Sequence, residues 1–293
     1  MSKASKHPES AGRIQFVIRR IGIWCFVLLL FAAAAYGANN KLDISEHTYA
    51  SEKISYSFDG FRIVHISDLH NKTFAQDNAA VMQEIRGMQP DIIVLTGDMI
   101  DVSNHTDIPA AELFMHQISE IAPVYYVLGN HENMLDKSDL NPFLDKIKED
   151  GIVLLNNERV QVSSKTGQTF SLIGMDDNSL QANLLGTLAA EAPDDLKILL
   201  AHEPQYLDEY YAEAGIDLVF SGHAHGGQFR IPFAHQGIWA PDQGFFPDMT
   251  EGCVTSKNGG TTMYISRGLG NSSFPLRAFN HPEITCVTLR VGG

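Results

Sequence analysis

The sequence predicts an α/β protein built on two mixed sheets, and three observations carry that prediction. Short apolar runs rich in β-branched and aromatic residues recur along the chain: "FRIVHIS" (61–67), "DIIVLTG" (91–97), "PVYYVLG" (123–129), "KILLAH" (197–202) and "IDLVFSG" (216–222). Each ends on a small or polar residue, as buried strands do. Between the first three lie segments with helical spacing, and strand alternating with helix sets helices over a buried sheet. Further strand-like runs, several consecutive in sequence, require a second, mixed sheet packed on the first: "GIVLLNNERVQV", "TFSLIGM", "TTMYISRG" and "EITCVTLRV".

Taken in order, residues 1–20 form a basic tail, with Lys3, Lys6, Arg13, Arg19 and Arg20 against Glu9. The whole chain carries a formal charge of −14, so the remainder is strongly acidic. That balance argues against a nucleic-acid binder, which needs a basic footprint for phosphates. The uncharged run "IGIWCFVLLLFAAAAYGA" (21–38) reads as a transmembrane helix acting as an uncleaved signal anchor, in preference to a signal peptide cut near Ala35 or Gly37. With the basic residues kept inside, the expected protein is a single-pass protein of the cell membrane whose body is extracytoplasmic. In that compartment Cys253 and Cys286 either pair or remain two buried thiols.

Residues 39–60 read as a polar stalk and entry to one domain over 61–293. "AQDNAAVMQEIRGMQ" places Ala79, Val81, Met82, Ile85 and Met88 on one helical stripe before Pro90, and "PAAELFMHQISEI" behaves similarly. "PQYLDEYYAEAG" (204–215) opens on proline and closes on glycine, as helices do. Residues 226–260, rich in Gly, Pro and Phe, read as a long functional loop. His65 alternates within the first strand and reads as a core residue.

The strand ends are chemically uniform. The first five strands named above run into "SDLH" (Asp68, His70), "GDMID" (Asp98, Asp101), "GNHE" (Asn130, His131, Glu132), "AHEP" (His202) and "GHAH" (His223, His225). Any one of these is more simply a turn former or helix cap. Together they bring metal-type ligands to the shared carboxyl edge of the strands, where open α/β sheets bind ligands. On a strand the two histidines of H-x-H point the same way. Carboxylate, carboxamide and imidazole without thiolate suit Mn²⁺, Fe or Zn²⁺. Divalent ions of this kind would supply the positive charge an acidic body lacks.

The blocks D-x-H, G-D-x-x-D, G-N-H-E, H and G-H-x-H, in this order over residues 61–225, resemble the calcineurin-like metallophosphoesterases. The stretches "GHAHGGQ", "APD" (240–242), "SRGLGNS" and "PLRAFNHPEI" look most like a bacterial membrane-associated phosphodiesterase branch of that family. The resemblance implies a four-layer α-β-β-α sandwich and two divalent metal ions, which together clamp a phosphoryl group and hold a bridging hydroxide as nucleophile. It implies that Asp68, His70 and His225 bind one metal, that Asn130, His202 and His223 bind a second, and that Asp98 bridges them. It makes His131 the catalytic residue that meets the substrate. Asp101 is expected to orient a ligand histidine and Gln228 to line the pocket. Arg267 or Arg277 contacts a substrate phosphate or serves in a salt bridge, and Glu132 is a helix cap or supports the ligands. Gly226 and Gly227 let substrate or a sheet edge come close to the metals. The implied activity is hydrolysis of phosphodiesters or phosphomonoesters, on a phosphorylated small molecule or a lipid or envelope-related substrate. The alternatives are a pyrophosphohydrolase acting on UDP-2,3-diacylglucosamine and a catalytically inactive metal-containing binding module.

Overall fold

The structure, a computed structural model of the chain, describes residues 8–103, 106–176, 182–192, 195–234, 236–271 and 274–292. Its strands are β1 (Asp43–Ser51), β2 (Arg62–Ile66), β3 (Ile92–Thr96), β4 (Val124–Val127), β5 (Val153–Leu154), β6 (Glu158–Ser163), β7 (Thr169–Gly174), β8 (Lys197–Leu200) and β9 (Leu218–Ser221). After them come β10 (Arg230–Ile231), β11 (Gln236–Gly237), β12 (Trp239–Ala240), β13 (Gly244–Phe245), β14 (Gly252–Thr255), β15 (Thr262–Ile265) and β16 (Glu283–Val291). The helices are α1 (Pro8–Asn40), α2 (Ala79–Gly87), α3 (Ile108–Ser119), α4 (Asn130–Asn133), α5 (Lys137–Glu149) and α6 (Ala182–Ala190).

Two six-stranded mixed sheets result, in the orders β1-β16-β2-β3-β4-β5 and β14-β15-β9-β8-β7-β6. In the first, β2, β3, β4 and β5 run parallel and β16 pairs antiparallel with β2. In the second, β7, β8, β9 and β15 are parallel, flanked by antiparallel β6 and β14. Neighbouring strands alternate their side chains between two separate cores. Ile63 and Val94 enter the apolar cluster between the sheets with Leu172, Ile198 and Phe220, while Val64 and Leu95 enter the cluster under α2, α3 and α5. A third cluster joins the far face of the second sheet to Leu185 of α6. Three apolar clusters separated by two sheets are what a four-layer sandwich needs, and strands buried on both faces explain why their sequences are unbroken apolar runs.

His65 is the polar member of the inter-sheet core. It is fully buried, its ring meets Phe220 edge-on at 5.2 Å, and its Nε2–H donates to Thr96 Oγ1 at 2.8 Å. Thr96 in turn donates to Ser67 Oγ, so the proton on His65 is committed to Nε2.

Elsewhere the structure departs from the sequence reading. Residues 43–51, expected in a stalk, form an edge strand paired in parallel with β16, with half-buried and exposed residues alternating. Residues 204–215 form a tight three-residue turn and a wider helical turn, Leu207–Tyr211, in place of a regular helix. The long segment after residue 226 is ordered by two ribbons, β10–β11 and β12–β13. Cys253 and Cys286 are both free and lie in different sheets.

The membrane anchor is a further correction, and the expected extracytoplasmic single-pass placement falls with it. Among the described residues no helix is long and apolar enough to cross a membrane. Within α1 the side chains of residues 8–14 and of Phe31, Ala34, Ala35 and Ala38, like residues 1–7 of the basic tail, lie outside the described residues. At its other end α1 is tied to the domain: Lys72 Nζ donates to Asn39 O at 2.7 Å, and Arg277 N donates to Asn39 Oδ1 at 3.2 Å.

Burial pushes the pKa of His65 down to about 3. A histidine whose folded pKa lies below its unfolded value of about 6.5 leaves stability intact above that value and erodes it as pH falls toward the folded one. Between pH 7 and pH 5 this residue should cost about 2 kcal/mol. In urea unfolding, His65→Leu should lose less stability than the parent over that interval; equal losses would show that the acid sensitivity lies elsewhere.

Candidate metal centre

Each strand that carries a motif delivers its polar residue just past its carboxyl end, β2, β3 and β4 from one sheet and β8 and β9 from the other. The backbone there is bent sharply. Asp68, His70, Asp98, His223 and His225 all have positive φ, between 47° and 66°. This left-handed region is one that Asp, Asn and His tolerate better than most side chains. Residues in it at such a density mark a site held in place by its surroundings.

Glu132 supplies much of that restraint. Its buried carboxylate accepts from the backbone N–H of Asp98 at 2.8 Å, Ile100 at 2.9 Å and Gly129 at 2.9 Å, fastening the loop after β3 to the loop after β4. Burial, and next the charge of Asp98, raise its pKa against those three donors. Close approach fixes Gly222 as well, because a Cβ there would lie 1.9 Å from Ser67 Oγ and 2.4 Å from Asp68 Oδ2. At Gly226 and Gly227 the crowding comes from Asn280 and from the backbone of Gly237 on β11, so a strand edge fills the space a side chain would take.

The buried side chains converge into one pit, a cavity of about 440 Å³ with Asp98, Asn130, His131 and His223 in its wall. Among the described residues four sets of atoms each lie within 4.8 Å of one another and could hold an ion: Asp68, His70 and His225; His70, Asp98 and His131; Asp98, His202 and His223; and, nearer the surface, Glu203, His223 and Asp242. Asp98 Oδ2 stands 3.3 Å from His202 Nε2, 3.6 Å from His70 Nε2 and 4.0 Å from His131 Nε2. Burial would raise its pKa, but the neighbouring imidazoles, His202 foremost, hold the carboxyl well below the usual range. Burial, its largest single influence, pushes His225 and His131 down, whereas Asp101, Asp98 and Asp68 overcome burial and raise His70.

The tautomers of one pair are set by their partners. His202 Nδ1–H donates to Thr96 O at 2.6 Å, and His223 Nε2–H donates to the Asp242 carboxylate at 2.9 Å. In the neutral rings His202 Nε2 and His223 Nδ1 then carry lone pairs, and they face each other at 3.0 Å beside Asn130 Oδ1, itself 3.1 Å from His202 Nε2. Two imidazole nitrogens converging beside a carboxamide oxygen and the Asp98 carboxylate are a donor set that would suit a divalent cation. His70 Nε2 and His225 Nε2 approach to 3.1 Å beside Asp68, whose Oδ1 is 3.5 Å from His225 Nε2.

Around this centre the remaining predicted residues divide. Asp101 Oδ1 lies 3.8 Å from His70 Nδ1 and 3.3 Å from His131 Nδ1, and accepts from Ser103 N and Oγ. His131 Nδ1 also accepts from Val102 N at 3.1 Å, which leaves its proton on Nε2, toward the pit. Gln228 lines an adjacent apolar cavity and donates to Phe274 O and Leu276 O. The two arginines are not in the wall of the pit. Arg267 is held by Glu283 at 3.2 Å, Asp43 at 3.3 Å and Glu251 at 3.6 Å. Arg277, fully buried, donates to Arg267 O at 2.7 Å, to Asn271 Oδ1 at 2.9 Å, to Gly270 O, and at 3.4 Å to His225 Nδ1. His7, His105 and His235, for which the sequence suggests no partner, lie outside the described residues.

Sequence reasoning assigned no role to Asp242. Its only trace in the sequence was the short "APD" stretch, because the contact with His223 depends on how the β12–β13 ribbon folds back over the pit.

Two packed mixed sheets with a buried imidazole and carboxylate pit at their carboxyl edges define a metal-dependent hydrolase of the phosphoesterase class. The model of the calcineurin-like phosphoesterase family matches residues 61–227, and the chain belongs to that family. It is 30% identical to the uncharacterized metallophosphoesterase YkuE of Bacillus subtilis, over 89% of this chain and 90% of that protein. It is 28% identical to the phosphodiesterase YaeI of Escherichia coli, over 78% of this chain and 82% of the relative. A solved structure, TT1561 of Thermus thermophilus, aligns with 72% of this chain and 90% of its own at 11% identity and a TM-score of 0.47.

Because a glutamine offers an NH₂ where Glu132 has an acceptor, Glu132→Gln should lower the unfolding free energy by about 2–4 kcal/mol. Chemical denaturation would measure it. A change under about 0.5 kcal/mol, the range of an ordinary surface substitution, would mean that the two loops are held by other contacts.

Proposed function

We propose that the chain is a binuclear phosphoesterase that cleaves phosphodiester bonds, with phosphomonoesters as lesser substrates and a lipid or envelope-related molecule as the natural one. The observation that carries the reading is the pair of nitrogens of His202 and His223 facing each other at 3.0 Å beside Asn130 and Asp98. In the neutral rings these are two converging lone pairs, which a cation turns into ligands. The name of the relative YaeI favours a diester over a monoester.

In this reading Asp68, His70 and His225 hold one ion, Asn130, His202 and His223 hold the other, and Asp98 joins the two sites. When bound, such ions neutralise phosphoryl charge and make a nucleophile available near neutral pH. The chain's own residues do the rest. Thr96 O and Asp242 keep His202 and His223 in the tautomers that present lone pairs. Val102 N–H keeps the His131 proton on Nε2, where it donates to a phosphoryl or departing oxygen entering the pit. Asp101 stabilises positive charge on the ring of His70. The aromatic and proline wall of the pit, Trp239 and Pro241, limits water around the scissile bond.

Full-length protein, chelated and then repleted with Mn²⁺, Fe²⁺ or Zn²⁺, should regain cleavage of a bis-aryl phosphodiester. Two bound ions per chain with no turnover on diesters or monoesters would move the assignment to a binding module. Asp98→Asn should reduce the bound metal at both positions, and near-normal metal content would reject Asp98 as the joining ligand. His131→Ala should keep its metal and slow turnover by about 10²–10⁴-fold. Metal lost with it would make His131 a ligand, as its place in the group with His70 and Asp98 allows.

A further inference from the structure

Beside the pit lies a second cavity of about 380 Å³, within the size range of small-molecule sites. Its wall includes Phe229, Ile238, Phe245 and Phe274. It shares His225, Trp239 and Pro241 with the pit, so the two spaces adjoin across residues that line both. A phosphoester seated over the imidazoles therefore has this cavity within reach of one of its two substituents.

The cavity is a built feature. Phe229 and Phe274 pack edge to face at 5.4 Å, Trp239 pairs with Phe245 across the β12–β13 ribbon, and the amide nitrogen of Gln228 ties down Phe274 O at 2.8 Å and Leu276 O at 3.1 Å. At its mouth Phe245 and Phe274 remain 75% and 58% exposed, large apolar surfaces that a globular protein ordinarily covers.

The chemistry of the wall selects the occupant. Among the described residues, the polar groups lining it are His225, which faces the ion site, the indole of Trp239, and Gln228, whose amide nitrogen is already committed. A nucleobase or a sugar would enter with donors and acceptors left unpaired, a costly burial. Among the described residues neither cavity is lined by Lys or Arg, so nothing there grips a second phosphate. An alkyl or acyl chain asks for no hydrogen bond. We propose that this cavity is the subsite for the hydrocarbon chain of the substrate alcohol, so that the enzyme selects long-chain alkyl or acylated phosphodiesters; this rests on the phosphodiesterase reading of the adjoining pit.

The test uses metal-repleted full-length protein and a series of alkyl 4-nitrophenyl phosphates, from methyl through butyl to octyl, held below the concentration at which they aggregate. Water adds at phosphorus, the bond to 4-nitrophenolate breaks, and the alkyl phosphate remains. The expected result is a kcat/KM that rises about threefold per added methylene over the first several carbons. Phe245→Ser and Phe274→Ser should each cut the octyl-to-methyl ratio of kcat/KM by about tenfold. A ratio near one in the parent, or one unchanged in both variants, overturns the proposal.

Binding is read separately. The chain has two tryptophans, Trp24 and Trp239, and Trp24→Phe leaves Trp239 as the only reporter. Dodecylphosphonate should shift its fluorescence with a Kd at least tenfold below that of methylphosphonate. If no diester in the series is cleaved, the phosphodiesterase reading fails, and the fluorescence comparison still decides the subsite: a chain-length preference keeps it and equal affinities reject it.

Discussion

Two imidazole nitrogens, on His202 and His223, stand 3.0 Å apart with their protons committed elsewhere, and the surrounding architecture is arranged to keep them so. Thr96, the last residue of β3, takes the proton of His202 from across the sheet interface; Asp242, on the ribbon over the pit, takes that of His223. In the neutral rings each contact turns a lone pair toward the other ring, an arrangement that favours a cation between them. The same holds for charge. Asp98 and Asp68 are buried, His225 and His131 are pushed toward the neutral form by burial, and the chain carries a net charge of −14. Imidazolium cannot balance such a pit throughout, whereas divalent ions can.

Holding that arrangement has a structural cost, visible in the backbone. Five of the seven proposed ligands have positive φ. Glu132, reaching three backbone amides from two loops, offsets part of the strain on the first sheet's side. On the second sheet's side His223 N donates to both Asp68 carboxylate oxygens, at 3.0 and 3.1 Å, which locks the H-x-H turn to the loop after β2. The glycines near these ligands allow the crowding: at Gly129 a Cβ would lie 2.3 Å from Asp98 Oδ1. The site thus depends on contacts between the two sheets, and neither sheet alone would present it.

Much of this was legible in the sequence because burial on both faces writes itself as continuous apolar runs. β2, β3, β4, β8 and β9 fall within the runs read as strands, and Val81, Met82, Ile85 and Met88 are buried as their spacing required, whereas Ala79, placed on the same stripe, is exposed at the start of α2. β1 was not legible as a strand. Its "DISEHTYAS" has one face half-buried at a sheet edge and is polar enough to read as linker. The ribbons between residues 230 and 245 escaped for another reason: strands of two residues have no periodicity to detect. Asp242 became recognisable only once that ribbon had placed it over His223. Arg267 and Arg277 illustrate the reverse. Their chemistry suits phosphate, but tertiary packing spends it on Glu283, Asp43 and Glu251 in one case and on backbone carbonyls in the other.

The β12–β13 ribbon also connects the pit with the apolar cavity beside it. The β12–β13 ribbon carries Trp239 and Phe245 and leads through Pro241 to Asp242, so the segment that sets the tautomer of His223 also shapes the apolar cavity. Asp242 itself is largely exposed, and its bond to His223 persists only while the ribbon lies over the pit. The wall of the apolar cavity and the hydrogen-bond partner of His223 are therefore positioned together, because a single short segment bears both sets of contacts.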